Sequence, residues 1–213
     1  MRILAFGAHL DDIELACGGT LARAVDNGHA VKMIVLSNSA YVNHDGTLLR
    51  TEDQAVEEGR RAAGILGVTD LEVLDFPNKD IPYSSRVVEG LDRKICEFKP
   101  DVIFTHWPFD THQDHRNTGL SSISASRYYN TILMYEPITP AGRSYVGFRP
   151  QLYVDIGATL DRKIEALRAH KSQLEKYGEG WIEAVKARAR YRGFDMGKEY
   201  AETFEVMRLE MTF

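Results

Sequence analysis

The sequence predicts an α/β fold, a doubly wound and largely parallel sheet with helices on both faces. Three observations carry this. Short apolar runs alternate with amphipathic helical patterns from the first residues onward. Glycine or proline stops separate them at the positions helices prefer. At 213 residues, with 44% hydrophobic and 27% charged residues, the chain has ordinary globular composition and the length of one domain. The expected organisation is a single domain over residues 1–213, a core at 1–157 and a short C-terminal helical and edge-strand extension at 158–213.

Residues 3–7 read as a buried strand. Residues 14–27 read as a helix striped by Leu15, Leu21, Ala22 and Val25, closed by Asn27-Gly28. A second strand is expected at 31–36, a helix at 51–66 stopped by Gly67, and a third strand at 71–76. Residues 84–98 form a helix capped by Ser84 or Ser85 and halted before Pro100. A fourth strand spans 102–105, a helix lies near 114–127, and strands follow at 131–135 and 152–155. Residues 160–176 and 182–191 read as helices. The tail alternates, with Met207, Leu209, Met211 and Phe213 on one side of an edge strand.

A formal charge of −5 gives no support to nucleic-acid or anionic-membrane binding. No run of 18 apolar residues is present, and the apolar N-terminus runs into His9, Asp11 and Asp12, unlike a signal peptide. A cytoplasmic protein is the default. Two cysteines, Cys17 and Cys96, exclude a disulfide framework or a Cys-rich zinc site and read as buried small hydrophobes. Any metal must be held by carboxylates and the seven histidines.

In the usual order of such a sheet the first and fourth strands lie side by side at a switch point, and ligands bind outside their carboxyl ends. Ala8-His9-Leu10-Asp11-Asp12-Ile13-Glu14 follows the first; Thr111-His112-Gln113-Asp114-His115 follows the fourth. So many polar groups in one crevice need compensation, which a divalent metal supplies. His9, Asp12 and His115 give two imidazoles and a carboxylate with an open position. Asp11, beside a ligand, is the candidate general base. His112 is placed to stabilise or protonate a tetrahedral intermediate, and Asp114 to orient His112 or a metal-bound histidine. The plainer reading makes Asp11 or Asp12 an N-cap at a carboxylate-favouring helix start.

These residues, with Gly18-Gly19-Thr20, resemble the AH-x-DD-x-E…GGT signature of the PIG-L/LmbE zinc-dependent N-deacetylases, and His112-Gln113-Asp114-His115 resembles that family's H-x-D-H. Further similarity runs through Ala62-Ala63, Leu66-Gly67-Val68, Val154-Asp155-Ile156, Lys163 to Gln173 and Tyr200 to Phe204. The resemblance implies a Rossmann-like fold and hydrolysis of an N-acetyl group on an N-acetylglucosamine-type sugar. It maps metal ligands onto His9, Asp12 and His115, the base onto Asp11, and a second catalytic histidine onto His112, with Asp114 beside it. It raises the expectation of a homo-oligomer. Leu10 and Gln113 stand where the family often has proline; Gln113 either loosens its loop or adds a polar contact. Arg50 is the nearest counterpart of a substrate-contacting arginine, against the plain reading of a solvated helix-start residue.

Glu14 is expected to orient a ligand histidine, and Gly18-Gly19 to allow close helix packing. Tyr41, Asn43, His44 and Asp45 lie in a long loop at the carboxyl end of the second strand, with His44 read as a surface residue. His106 and Trp107 form a wall or core, His29 is structural, and His170 packs a helix or backs the site. Lys186 to Arg192 read as a solvated basic face. Zinc is the expected ion, with iron, cobalt or manganese acceptable to the same donors. The competing functions are a 2-His-1-carboxylate iron(II) oxygenase, a two-metal phosphoesterase and a metal-dependent ligand-binding module.

Overall fold

A computed structural model describes residues 1–137 and 143–211. Its elements, in order, are β1 (Arg2–Gly7), α1 (Asp12–Asp26), β2 (Ala30–Ser37), β3 (Tyr41–Val42), β4 (Leu48–Arg50), α2 (Glu52–Leu66), β5 (Asp70–Phe76), α3 (Ser85–Phe98), β6 (Val102–Thr105), α4 (Gln113–Ala125), β7 (Ile132–Tyr135), β8 (Leu152–Asp155), α5 (Leu160–Ala169), α6 (Lys171–Tyr177), α7 (Glu179–Asp195) and β9 (Ala201–Arg208). The main sheet has the order β5-β2-β1-β6-β7-β9-β8. Its first five strands are mutually parallel; β9 runs antiparallel to both neighbours.

Both faces of the central strands are buried, as parallel sheets require. Along β1, Ile3 and Ala5 face the core beneath α1 and α2, while Leu4 and Phe6 face the core beneath α3. The alternation repeats in β2, with Met33 and Val35 on one side and Ile34 and Leu36 on the other. Helix ends follow the expected chemistry. Thr51 and Ser84 cap α2 and α3 through side-chain acceptors, and Gly67 takes the left-handed conformation at φ 83° after α2. A side chain at Gly19 would meet Ile156 at 2.9 Å, so the glycine lets α1 approach the segment before α5.

Five expectations change. β9 is interior, between β7 and β8, not an edge strand; the C-terminal segment is woven into the sheet. Met207, Leu209 and Met211 are exposed, and Phe213 lies outside the described residues. The helix expected over 160–176 divides at His170 into α5 and α6. The long loop after β2 contains a small hairpin, β3 paired with β4, which sets Tyr41 opposite Arg50. Cys17 is buried, but Cys96 is exposed. The basic run is only partly solvated, because Arg188 donates to the Pro137 carbonyl and Arg192 pairs with Glu136. No helix among the described residues is long and apolar enough to cross a membrane.

Candidate active site

β1 and β6 are adjacent, and the chain leaves their carboxyl ends in opposite directions, so both polar clusters border one crevice. A cleft of about 540 Å³ opens there, with His9, Asp11, Asp12, His112 and His115 among its lining residues. That volume suits a sugar-sized ligand.

His9, Asp12 and His115 converge. His9 Nδ1 is 3.3 Å from His115 Nε2 and 3.5 Å from Asp12 Oδ2, and His115 Nε2 is 3.3 Å from Asp12 Oδ1. Each imidazole's other nitrogen meets a separate carboxylate: His9 Nε2 lies 2.9 Å from Asp114, and His115 Nδ1 3.0 Å from Asp110. Carboxylates placed behind ligand histidines are the usual outer ring of a metal centre. The electrostatics agree. Burial opposes charge on His115, but Asp12 and Asp110 outweigh it and raise its pKa to about 10. Burial likewise opposes ionisation of Asp12, yet His115 and His106 hold it well below the carboxylate range. The cluster thus carries an excess of anionic groups that attracts a cation. A second group of donors, His9, His112 and Asp114, also lies close enough to hold an ion. There, however, Asp114 already accepts hydrogen bonds from His9 and from the Lys79 and Ile81 amides.

Asp11 stands at the N-cap position of α1 but caps nothing with its side chain. Its φ of 143° is costly for a residue with a Cβ, and such strain concentrates at functional positions. The N-cap alternative therefore fails for Asp11, whose carboxylate instead lines the cleft. Burial, then the neighbouring Asp12 charge, push its pKa up to about 6. Asp12 does not cap α1 conventionally either: its Oδ2 accepts from the His9 amide at 2.7 Å.

His112 is the N-cap of α4, its Nδ1 accepting from the Asp114 amide at 3.2 Å. That bond leaves the proton on Nε2. Burial, then the nearby His115 and His9, lower its pKa to about 4, so it is a neutral donor at pH 7. Asp114 is fully buried behind His9 and does not line the cleft. Of the two orienting roles expected for it, the structure gives it the one toward a proposed metal ligand, His9.

Arg50 lines the cleft but is no solvated helix-start residue; it is 3% exposed. It pairs with Glu58 at 3.0 Å, donates to the Leu10 carbonyl and approaches His170 Nδ1 at 3.2 Å, while its Nε has no partner among the described residues. Because arginine only donates, His170 Nδ1 is the acceptor and its Nε2 donates to Glu14 at 3.2 Å. Glu14 therefore holds His170, not a ligand histidine. Breaking a buried pair leaves an uncompensated charge. Glu58→Ala should lower stability by about 3–5 kcal/mol in chemical denaturation, and adding Arg50→Met should recover much of that loss.

His106 is a buried wall, accepting from the Ala8 amide at 3.0 Å and stacking on His115. Gly119 permits α4 to pack there, since a Cβ would lie 2.6 Å from the His106 carbonyl. Tyr41 reaches the cleft; His44 is exposed and bonds only to Asn43 among the described residues. Gln113 adds the polar contact that was one of its two alternatives, to the Lys79 carbonyl. Sequence reasoning missed Asp110, Glu58 and the outer rim formed by Lys79, Lys176, Tyr177 and Trp181. Of these, only the aromatic and basic content near 176–181 left any signal in the sequence.

Residues 4–126 match the family model described as PIG-L: GlcNAc-PI de-N-acetylase. The chain is 30% identical over 216 aligned residues to a diacetylchitobiose deacetylase of Thermococcus kodakarensis, covering 94% of this chain and 81% of that one. It is 33% identical over 177 residues to the uncharacterized deacetylase YaiS of Escherichia coli, covering 80% and 90%. The solved N,N'-diacetylchitobiose deacetylase of Pyrococcus horikoshii shares the fold, with a TM-score of 0.83, 24% identity and coverage of 97% and 84%. The chain belongs to the PIG-L family of N-deacetylases, hydrolases acting on N-acetyl amides of the N-acetylglucosamine type.

Proposed function

We propose that the protein is a zinc-dependent hydrolase that removes the acetyl group from an N-acetylglucosamine-type sugar or sugar conjugate. The observation that carries the reading is the convergence of His9, Asp12 and His115, with an unencumbered Asp11 carboxylate in the same cleft. Two imidazoles and one carboxylate, with Asp114 and Asp110 behind the imidazoles, fit a catalytic zinc. The same donors accept iron, cobalt or manganese. When bound, the ion supplies Lewis acidity toward a carbonyl oxygen and acidifies water.

The protein's own residues do the remaining work. Asp11 takes a proton from the attacking water, whose oxygen bonds to the acetyl carbon. His112, neutral with its proton on Nε2, donates a hydrogen bond to the oxygen that becomes negative. As the C–N bond breaks, protonated Asp11 returns its proton to the nitrogen, giving acetate and a free amine. Arg50, pinned by Glu58 and lining the cleft, binds a sugar hydroxyl or other polar group of the substrate. A cytoplasmic homo-oligomer, without nucleic-acid or membrane partners, completes the reading. An oxygenase has no use for Asp11, and the second donor group shares His9 with the first and has an Asp114 already engaged by the Lys79 and Ile81 amides, which favours one ion.

The test is acetate and amine release from N-acetylglucosaminides by protein reconstituted with zinc. Release should stop with a chelator and return with added zinc. Oxygen uptake with 2-oxoglutarate, or phosphate release, in place of acetate would overturn the assignment.

A further inference from the structure

We propose that Leu10, gripped by Ser39, Arg50 and Gly59, positions Asp11: the grip on the preceding residue holds the base in its strained backbone and aims its carboxylate into the cleft. This rests on the reading of Asp11 as the general base. A residue with a Cβ stays at a φ of 143° only where its surroundings over-determine it. The Asp11 side chain caps nothing, so the constraint comes from its neighbours. On one side, the Asp11 carbonyl accepts from the Leu15 amide at 2.9 Å and so belongs to the first turn of α1. On the other side stands Leu10, which is buried.

Three separate elements hold Leu10, through both of its backbone polar groups and through its side chain. Its amide donates to Ser39 Oγ at 2.9 Å, in the loop after β2. Its carbonyl accepts from Arg50, at the end of β4, at 3.2 Å. Its side chain fills the space that Gly59 leaves on α2, where a Cβ would overlap Leu10 Cδ2. The holders are themselves fixed. Ser39 takes a left-handed φ of 59°, its amide donating to Ser37 Oγ at 2.9 Å and its hydroxyl to the Ser37 carbonyl at 3.2 Å. The Ser37 amide in turn donates to the Ala8 carbonyl at 2.9 Å, so residues 37–39 run along residues 8–10. Arg50 is held by Glu58, which also accepts from the Ser172 amide at 3.0 Å and hydroxyl at 2.7 Å. Leu10, Glu58 and His170 engage three of the five N–H groups of Arg50, which leaves the others for the cleft. A proline at position 10 has no N–H to give Ser39, so the leucine matters for its backbone as well as its side chain.

A double-mutant cycle in kcat tests the grip, with zinc-loaded protein and N-acetylglucosaminides, N,N'-diacetylchitobiose first. Ser39→Gly removes the acceptor and keeps the left-handed backbone. It should lower kcat about 10–100-fold, the scale on which small misplacements of a reacting group act, with KM and zinc content unchanged. In the Asp11→Asn background the same substitution should have almost no further effect, because residues that act through one group are not additive with its loss. Gly59→Ala, which raises helix propensity while crowding Leu10, should show the same dependence on Asp11. Equal losses in the two backgrounds, or no loss from either variant, overturn the positioning proposal alone. Full activity of Asp11→Asn overturns the base reading and the proposal with it. If the unmodified protein releases no acetate from any N-acetylated sugar, the deacetylase reading has failed, and crystal structures still judge the grip. Asp11 should then leave its φ of 143° in the doubly substituted Ser39→Gly, Gly59→Ala protein, and an unchanged φ overturns the proposal.

Discussion

Asp11→Asn should lower kcat by about 10²–10⁴-fold, the usual contribution of a positioned general base. The substitution keeps size and shape, so the strained backbone at φ 143° and the close packing around it are retained. Its effect is confined to the proton. An amide cannot accept one from water or carry it to the departing nitrogen. Zinc content should be unchanged, because the donors of the convergent cluster are His9, Asp12 and His115. Acetate release in single turnover, beside metal analysis of the same sample, checks both statements. A variant that keeps full activity would remove Asp11 from the mechanism. A variant that loses zinc would instead make it a ligand or a support for one.

His115→Ala should abolish both stoichiometric zinc and activity, and Asp110→Asn should produce a weaker version of the same loss. Of the three donors in the His9, Asp12 and His115 group, His115 is the one supplied by α4, so its removal leaves His9 and Asp12 from one short segment to hold the ion. Asp110 accepts from His115 Nδ1 at 3.0 Å and from the His112 amide at 2.8 Å. It therefore fixes the tautomer of the proposed ligand and the start of α4 together. Outer carboxylates of this kind are worth about 10–100-fold in metal affinity or activity. A competition titration with a chromophoric chelator would rank the unmodified protein, Asp110→Asn and His115→Ala. If Asp110→Asn binds zinc as tightly as the unmodified protein, the Asp110 bond is structural only.

The sheet and the two polar clusters were legible in the sequence because each is a local pattern. Alternation of strand and helix fixes where β1 and β6 end, and the topology common to such sheets brings those ends together. What escaped depends on partners distant in sequence. β9 reads as an edge strand because the tail alternates, yet it lies between β7 and β8, and its Glu202 and Glu205 are buried and paired with Lys163 and Arg149. Asp110 looks like any turn residue until the chain folds back to bring His115 over it. His170 meets Glu14 across 156 positions and Arg50 across 120, a separation at which spacing carries no information. Lys79 and Lys176 each read as ordinary surface lysines, and only the fold brings both to the Tyr41 ring.

Lys79 serves the cleft twice, through chemically independent parts of itself. Its amide N–H donates to Asp114 at 2.6 Å, behind His9, whereas its ammonium stands at the mouth. Backbone and side chain thus stand at two levels of the cleft, one behind His9 and one over the Tyr41 ring. Asparagine or glycine, which tolerate the left-handed backbone at φ 71°, preserve the amide. Either substitution accordingly removes the ammonium from the rim without disturbing the hydrogen bond to Asp114.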